Sequence, residues 1–159
     1  AFGFIITEKI PNITADNLVG YIKLQKAELS PDKYIREKRA LIKELAQLVS
    51  RLIKLDFSLP DLGIHNLLVE KLGDEKFKLW VIDLVEAKSR PAKEEKMLCR
   101  LISDPRNARL FTGTDKTRFL KWYLAFSAGK ENWPALCRKV APLLKARWKN
   151  SYKKYGASR

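Results

Sequence analysis

Residues 30–57, SPDKYIREKRALIKELAQLVSRLIKLDF, carry the strongest helical pattern in the chain. Apolar side chains recur there at spacings of three and four, which places them on one face of an α-helix. Ser30 is expected to cap this helix, and Pro31 stands at the first helical position, where proline is favoured. We predict that Tyr34 to Lys54 lies within one buried helix. Its apolar positions are Ile35, Leu41, Ile42, Leu45, Leu48, Val49, Leu52 and Ile53.

The segments that flank this helix predict a few short strands. LLVE (67–70) and FKLWVID (77–83) are rich in β-forming residues, and the intervening KLGDEK supplies a Gly-Asp turn, so a hairpin is expected. Another strand is predicted at Phe2–Thr7. The stretch DFSLPDLGIHN contains Pro60 and Gly63, and it should form a shaped loop between the long helix and the hairpin.

The remaining periodic segments are helical. A helix is predicted in ADNLVGYIKLQ, capped by Thr14 or Asp16, with Leu18, Tyr21, Ile22 and Gln25 on one side. Further helices are expected at residues 93–102, 115–126 and 133–155. The fold class is therefore mainly α with a small β-hairpin. The side chains of Trp80, Trp122 and Trp133 are expected to lie in its core.

Composition limits the class of protein. The chain has 159 residues, 46% of them hydrophobic, which suits a single domain with one core. No apolar run approaches the roughly 18 to 20 residues that span a bilayer, and the first residues do not resemble a signal peptide. Cys99 and Cys137 lack metal-ligand spacing and are expected to be reduced. These features predict an intracellular, cytoplasmic protein.

The net charge of +14 is concentrated in one half of the sequence. Residues 1–87 hold 13 Lys/Arg and 13 Asp/Glu, whereas residues 88–159 hold 19 and 5. Such a basic half implies an anionic partner, which could be nucleic acid, a phospholipid surface or a phosphorylated glycolipid, although a basic face can also serve solubility alone. The last helix combines many cations with Trp148 and Tyr152 and could lie on an anionic membrane, with a kink at Pro142.

Three oxygen-bearing side chains lie near the ends of the predicted hairpin. Asp61 and Asn66 are five residues apart, the D-x-x-x-x-N spacing of a kinase catalytic loop, and Asp83 ends the second strand. Phosphoryl transfer needs a carboxylate to orient or deprotonate the attacking hydroxyl, and oxygen ligands for Mg²⁺. Each residue also has a structural reading: Asp61 could cap a turn, and Asp83 could pair with Lys88 or Arg90.

The order of these elements resembles a known family. FGFIITEKI matches a hinge strand, PDLGIHNLLV a catalytic loop with its following strand, KLWVIDLVEA a metal-binding strand, and TDKTRFLKWYL a later helix. Over roughly residues 2 to 126 the sequence is similar to bacterial lipopolysaccharide core kinases, the Kdo/heptose kinase group related to eukaryotic-like protein kinases. Two positions differ: Leu59 stands where a histidine is usual, and the Asp-Phe-Gly motif reads Asp83-Leu84-Val85.

The resemblance implies a protein-kinase-like C-terminal lobe and assigns roles to particular residues. Asp61 would be the catalytic base, Asn66 and Asp83 would bind Mg²⁺, and the backbone at Glu8, Lys9 and Ile10 would contact the adenine of ATP. The acceptor would be a sugar hydroxyl of the lipopolysaccharide core or another anionic glycolipid.

The resemblance also sets expectations for domain organisation and location. Residues 1–159 are expected to form one C-terminal lobe, with a basic helix at 134–159 and with the N-terminal lobe missing. A cytoplasmic protein, peripheral on the inner membrane, would fit such a substrate. The alternatives are a catalytically incomplete lobe and a basic module that binds anionic lipid or, less favoured because no recognition motif is present, nucleic acid.

Overall fold

A computed structural model describes residues 17–59, 62–83, 88–89, 93–103, 110–127 and 132–155. Within these residues the chain is mainly helical with a small β-hairpin, as the sequence predicts, and it contains a second two-stranded antiparallel sheet. The predicted strand Phe2–Thr7 lies outside the described residues. The helices are α1 (Leu18–Glu28), α2 (Pro31–Lys54), α3 (Glu94–Ser103), α4 (Gly113–Phe126) and α5 (Trp133–Tyr155), and the strands are β1 (Phe57–Ser58), β2 (Leu67–Gly73), β3 (Lys76–Val81) and β4 (Lys88–Ser89).

Helix α1 begins with a cap that the sequence analysis did not identify. The Asn17 side chain accepts a hydrogen bond from the Gly20 N–H at 3.0 Å, so the prediction of Thr14 or Asp16 as the cap was wrong. Asparagine is as good a cap as aspartate, because its side-chain oxygen satisfies a free N–H of the first turn. Leu18, Tyr21 and Ile22 are buried on one side of α1 as predicted, whereas Gln25 is only half-buried.

Helix α2 confirms the prediction that residues 34–54 form one helix, with Pro31 in its first turn. Ser30 occupies the N-cap position, but its side chain makes no capping hydrogen bond. Leu41, Ile42, Leu45 and Val49 are buried as predicted, while Ile35, in the second turn of the helix, is exposed.

Strands β2 and β3 form the predicted hairpin, with Leu67 opposite Val81 and Val69 opposite Leu79. The sequence analysis missed the second sheet, in which β1 pairs with β4 through Phe57 and Ser89. A two-residue strand is too short to show alternation, so the loop prediction for DFSLPDLGIHN was wrong at its start.

The core lies between α1, α2, the hairpin and the later helices. Helix α3 packs on α5, and α4 packs on α2. Cys99 is a buried free thiol, consistent with a small hydrophobic role. Trp122 and Trp133 are about one third exposed, so their assignment to the core was wrong. No helix among the described residues has the length and apolarity needed to cross a membrane.

Candidate active site

The loop that precedes β2 is anchored in the core at several points. Leu59 and Leu62 are buried, and the Leu62 N–H donates to the Leu59 carbonyl at 3.1 Å. A single 3₁₀ turn follows at Ile64–Asn66, closed by a hydrogen bond from the Asn66 N–H to the Gly63 carbonyl at 3.0 Å. Buried leucines therefore fix both ends of the segment that contains Asp61.

The hairpin brings Asn66 next to the segment that ends in Asp83. Asn66 directly precedes β2, and its carbonyl accepts a hydrogen bond from the Ile82 N–H at 2.9 Å, one residue beyond β3. Asp83 follows, with φ at 61°. Aspartate tolerates this left-handed conformation better than most residues, and the change in backbone direction ends the strand. Asn66 is buried and Asp83 is exposed.

The two predicted magnesium ligands thus lie at the same end of one hairpin. Both offer oxygen, and Mg²⁺ is commonly held by one or two protein ligands together with substrate phosphates. In the described parts of the chain, no three acidic, cysteine or histidine side chains cluster as a metal site. The pair fits a metal that arrives with a nucleotide better than a metal held by protein ligands alone.

The other predicted site residues lie outside the described residues. These are Asp61, the proposed base, and Glu8, Lys9 and Ile10, the proposed adenine contact. Their roles stay predictions, as does the alternative pairing of Asp83 with Lys88 or Arg90. Leu59, which replaces the histidine usual in the resembling family, is a buried core residue.

Gly63 and His65 form a close contact that the sequence analysis did not identify. A Cβ atom at position 63 would overlap the imidazole of His65, so space, rather than its φ of −130°, favours glycine here. The His65 Nδ1 atom is buried and has no hydrogen-bond partner among the described residues.

A buried ion pair joins α2 to the hairpin. The Lys71 Nζ lies 2.6 Å from Glu37 Oε1, and the Tyr21 hydroxyl lies 3.5 Å from Glu37 Oε2. Burial, followed by the charge of Glu37, raises the pKa of the Tyr21 hydroxyl well above its ordinary value. Tyr21 also packs edge-on against Phe77 of β3, with 5.9 Å between ring centroids. Helix α1, helix α2 and the hairpin are thus held in one arrangement.

A second charged cluster ties α2 to the start of α4. Asp115 lies 2.7 Å from Lys38 Nζ and 3.2 Å from Arg118 Nη1, and it shares a capping box with Thr112. Burial alone would raise the pKa of the Asp115 carboxyl, but hydrogen bonds from Lys38 and Thr112 and the charge of Lys38 lower it overall. Thr112 is the N-cap residue of α4, and Asp115 is its third helical residue.

Comparisons with known proteins place the chain in a family. The sequence profile of the lipopolysaccharide kinase (Kdo/WaaP) family matches residues 3–123, about three quarters of the chain. The chain belongs to this family. The resemblance drawn from the motif residues is confirmed, and all six predicted site residues lie inside the matched range. A search of curated protein sequences finds no significant match.

A solved structure supports the fold assignment. It is described as WaaP in complex with acyl carrier protein, and it superimposes with a TM-score of 0.65 at 25% sequence identity. The match covers 87% of this chain and 57% of the WaaP chain, so this chain spans little more than half the length of its solved relative. The Kdo/WaaP fold is thereby shown for the part of the kinase that the chain contains.

Proposed function

We propose that the protein transfers a phosphoryl group from ATP to a sugar hydroxyl of the lipopolysaccharide core. The observation that carries this proposal is the family match over residues 3–123, which includes every residue of the candidate site. The hairpin supports it, because a backbone hydrogen bond from the Ile82 N–H to the Asn66 carbonyl puts Asn66 and the segment that ends in Asp83 at the same end of the hairpin. Mg²⁺, when bound with the nucleotide, would neutralise phosphate charge during transfer.

In this proposal each site residue has a defined task. Asp61 accepts the proton of the attacking hydroxyl, whose oxygen forms the bond to the γ-phosphorus of ATP. The bond between that phosphorus and the β–γ bridging oxygen breaks, and ADP leaves. Asn66 and Asp83 hold the metal, and the backbone at Glu8, Lys9 and Ile10 receives the adenine. The anchored residue Leu62 limits where its neighbour Asp61 can lie.

The proposed partners follow from the same chemistry. An anionic glycolipid acceptor would bring the protein to the cytoplasmic face of the inner membrane, where the basic second half of the chain could contact acidic saccharide and lipid phosphates. An acyl carrier protein is a further candidate partner, since WaaP was solved with one. The competing function is a kinase-like lobe that binds anions without catalysis.

The substitution Asp61→Asn in the full-length protein separates these functions. Asparagine is nearly isosteric and can still cap a turn, whereas loss of a positioned base typically costs on the order of 10² to 10⁴ in rate. We expect radiolabel transfer from ATP to purified glycolipid to fall by at least roughly 100-fold. The melting temperature and the affinity for ATP should stay close to those of the wild type.

Asp56→Asn is the matched control, because Asp56 is an exposed aspartate five residues earlier, with φ at 51°, a conformation that asparagine also adopts. It should retain full transfer. Retained transfer in Asp61→Asn would show that Asp61 is not the base, and lost transfer with a collapsed melt would show that its role is structural. A wild-type protein that binds glycolipid but transfers no label would support the non-catalytic function.

A further inference from the structure

Helix α2 presents a cationic face to solvent. Its exposed residues include six cations and a single carboxylate, Asp32 in the first turn, in a helix that the structure describes throughout. The cations recur mostly at spacings of three, four and seven, so most of them lie in one stripe along the helix. The exposed cations are Lys33, Arg36, Arg39, Lys43, Arg51 and Lys54.

This face arises because two of the three acidic residues of α2 are wholly or partly withdrawn from the surface. Glu37 is buried and paired with Lys71, and Glu44 is half-buried. Residues 1–87 hold equal numbers of cationic and acidic side chains, so their net charge of zero does not show that the exposed charges of α2 are mainly positive. Among the exposed cations, Arg36 is engaged with Glu75 at 3.0 Å. The surface therefore carries an excess of positive charge in the half of the chain that is formally neutral.

Aromatic side chains of α4 border this stripe. Trp122 and Phe126 stack on each other, with 5.9 Å between ring centroids and 19° between the ring planes. Lys43 Nζ lies 4.8 Å from the centroid of Trp122, and Lys54 Nζ donates to the Phe126 carbonyl at 2.7 Å. Leu55, the next residue after Lys54, is largely exposed.

These residues define one surface, which we call the α2–α4 face: Lys43, Arg51, Lys54, Leu55, Trp122 and Phe126. Asp56 is an exposed acidic residue at one end of it. Tryptophan and lysine side by side are typical of a surface at the water–bilayer boundary, because the ring enters the headgroup layer while the long stem keeps its charge at the phosphates.

We propose that the α2–α4 face docks on an anionic phospholipid surface. Its cations complement the negative potential of such a membrane, and its exposed indole supplies apolar area. Nucleic acid fits less well, since base stacking needs an open ring face and Phe126 and Lys43 already contact the Trp122 ring. Docking does not depend on phosphoryl transfer, so either proposal can fail alone.

Vesicle binding by the full-length protein tests this proposal. Vesicles of phosphatidylcholine mixed with phosphatidylglycerol contain no sugar acceptor, so their binding is independent of the kinase reaction. The double variant Lys43→Gln/Lys54→Gln should lower the partition coefficient by roughly 25-fold, because each lysine near an anionic surface contributes about fivefold. The matched double variant Lys23→Gln/Lys26→Gln, at exposed lysines of α1, should bind like the wild type.

Quenching of tryptophan fluorescence by brominated phospholipid locates the contact. Trp122→Phe should remove most of the quenching, whereas Trp133→Phe should not. Trp133 is the matched control, because its side chain is 37% exposed and that of Trp122 is 36% exposed. The proposal is overturned if both lysine pairs have equal effects, or if only Trp148→Phe removes the quenching, which would place the contact on α5. It is also overturned if the α2–α4 variants lose binding to acyl carrier protein while vesicle binding is unchanged.

Discussion

The two partners of the Lys71–Glu37 pair differ in exposure, and this difference predicts unequal effects of mutation. The side chains are 30% and 2% exposed, respectively. Lys71→Met leaves a carboxylate in the core without its cation and should lower the free energy of unfolding by about 3–5 kcal/mol. Glu37→Gln leaves a lysine that can reach water, so a smaller loss of about 1–3 kcal/mol is expected in urea denaturation.

The exposed pair Arg36–Glu75 is the control for this comparison. Its side chains are 57% and 50% exposed, so Arg36→Gln should cost less than about 1 kcal/mol. A larger loss for Glu37→Gln than for Lys71→Met would contradict the assignment of Glu37 as the buried member whose charge needs a partner.

The contact between Gly63 and His65 predicts a coupled pair of substitutions. Gly63→Ala should lower stability by about 1–3 kcal/mol, because its Cβ would displace the imidazole. In the double variant Gly63→Ala/His65→Ala the space is free again, so most of this loss should disappear in a double-mutant cycle. Additive losses would mean that the ring does not limit residue 63.

Residue spacing was enough to select candidate site residues, whereas the burial of the charged residues around them was not predicted. The interval between Asp61 and Asn66 and the end of the second strand were sufficient to select Asn66 and Asp83, which the hairpin then places close together. Glu37 was not selected, although it stands four residues before Leu41 on the apolar side of α2, a position that indicates a buried acid. The exposure of Trp122 has no signal in a single sequence, because residue type alone favours the core.

At the scale of elements, the start of α4 gives a prediction about pH. The pKa of Asp115 is lower in the folded protein than its ordinary value, so its contribution to stability is complete well above the unfolded pKa and is lost as the pH falls through the folded pKa. Asp115→Asn should reduce stability by about 3–5 kcal/mol at pH 7, because Lys38 loses its partner. As the pH is lowered from 5 to the folded pKa of Asp115, the melting temperature of the wild type should fall more than that of Asp115→Asn.

Thr112→Ala is the companion variant for this test. It removes one capping hydrogen bond and should cost about 1 kcal/mol, with the acid dependence largely retained because the Lys38–Asp115 pair remains. Parallel acid profiles for wild type and Asp115→Asn would show that another group controls the transition.

The elements that the sequence predicted correctly are those in which a regular hydrophobic pattern extends over many residues. Helix α2 and helix α5 were predicted almost to the residue, and the hairpin was found from two β-rich runs around a turn. Strands β1 and β4 were missed, since their pairing depends on residues 57 and 89, far apart in sequence. The cap of α1 was misplaced because Thr14, Asp16 and Asn17 are all favourable capping residues, and packing of Leu18 selects among them.

For the whole molecule, summed charge and surface charge are different quantities. The sequence count assigns the entire excess of +14 to residues 88–159, but folding buries Glu37 while six cations of α2 stay exposed, so the neutral half also carries a basic surface. Partner predictions drawn from a charge count alone therefore locate the basic surface incompletely.

The last prediction concerns ligand binding to the whole protein. If Asn66 and Asp83 hold a metal with the nucleotide, Mg²⁺-ATP binds only the folded state and should stabilise it by about 2.7 kcal/mol at a concentration 100 times its Kd. For a protein of this size, such a gain corresponds to a rise in melting temperature of roughly 5–10 °C. Asp83→Ala in the full-length protein should abolish most of this shift. Asp74→Ala, at the exposed turn of the same hairpin, should retain it, and an equal shift in both variants would exclude Asp83 as a ligand.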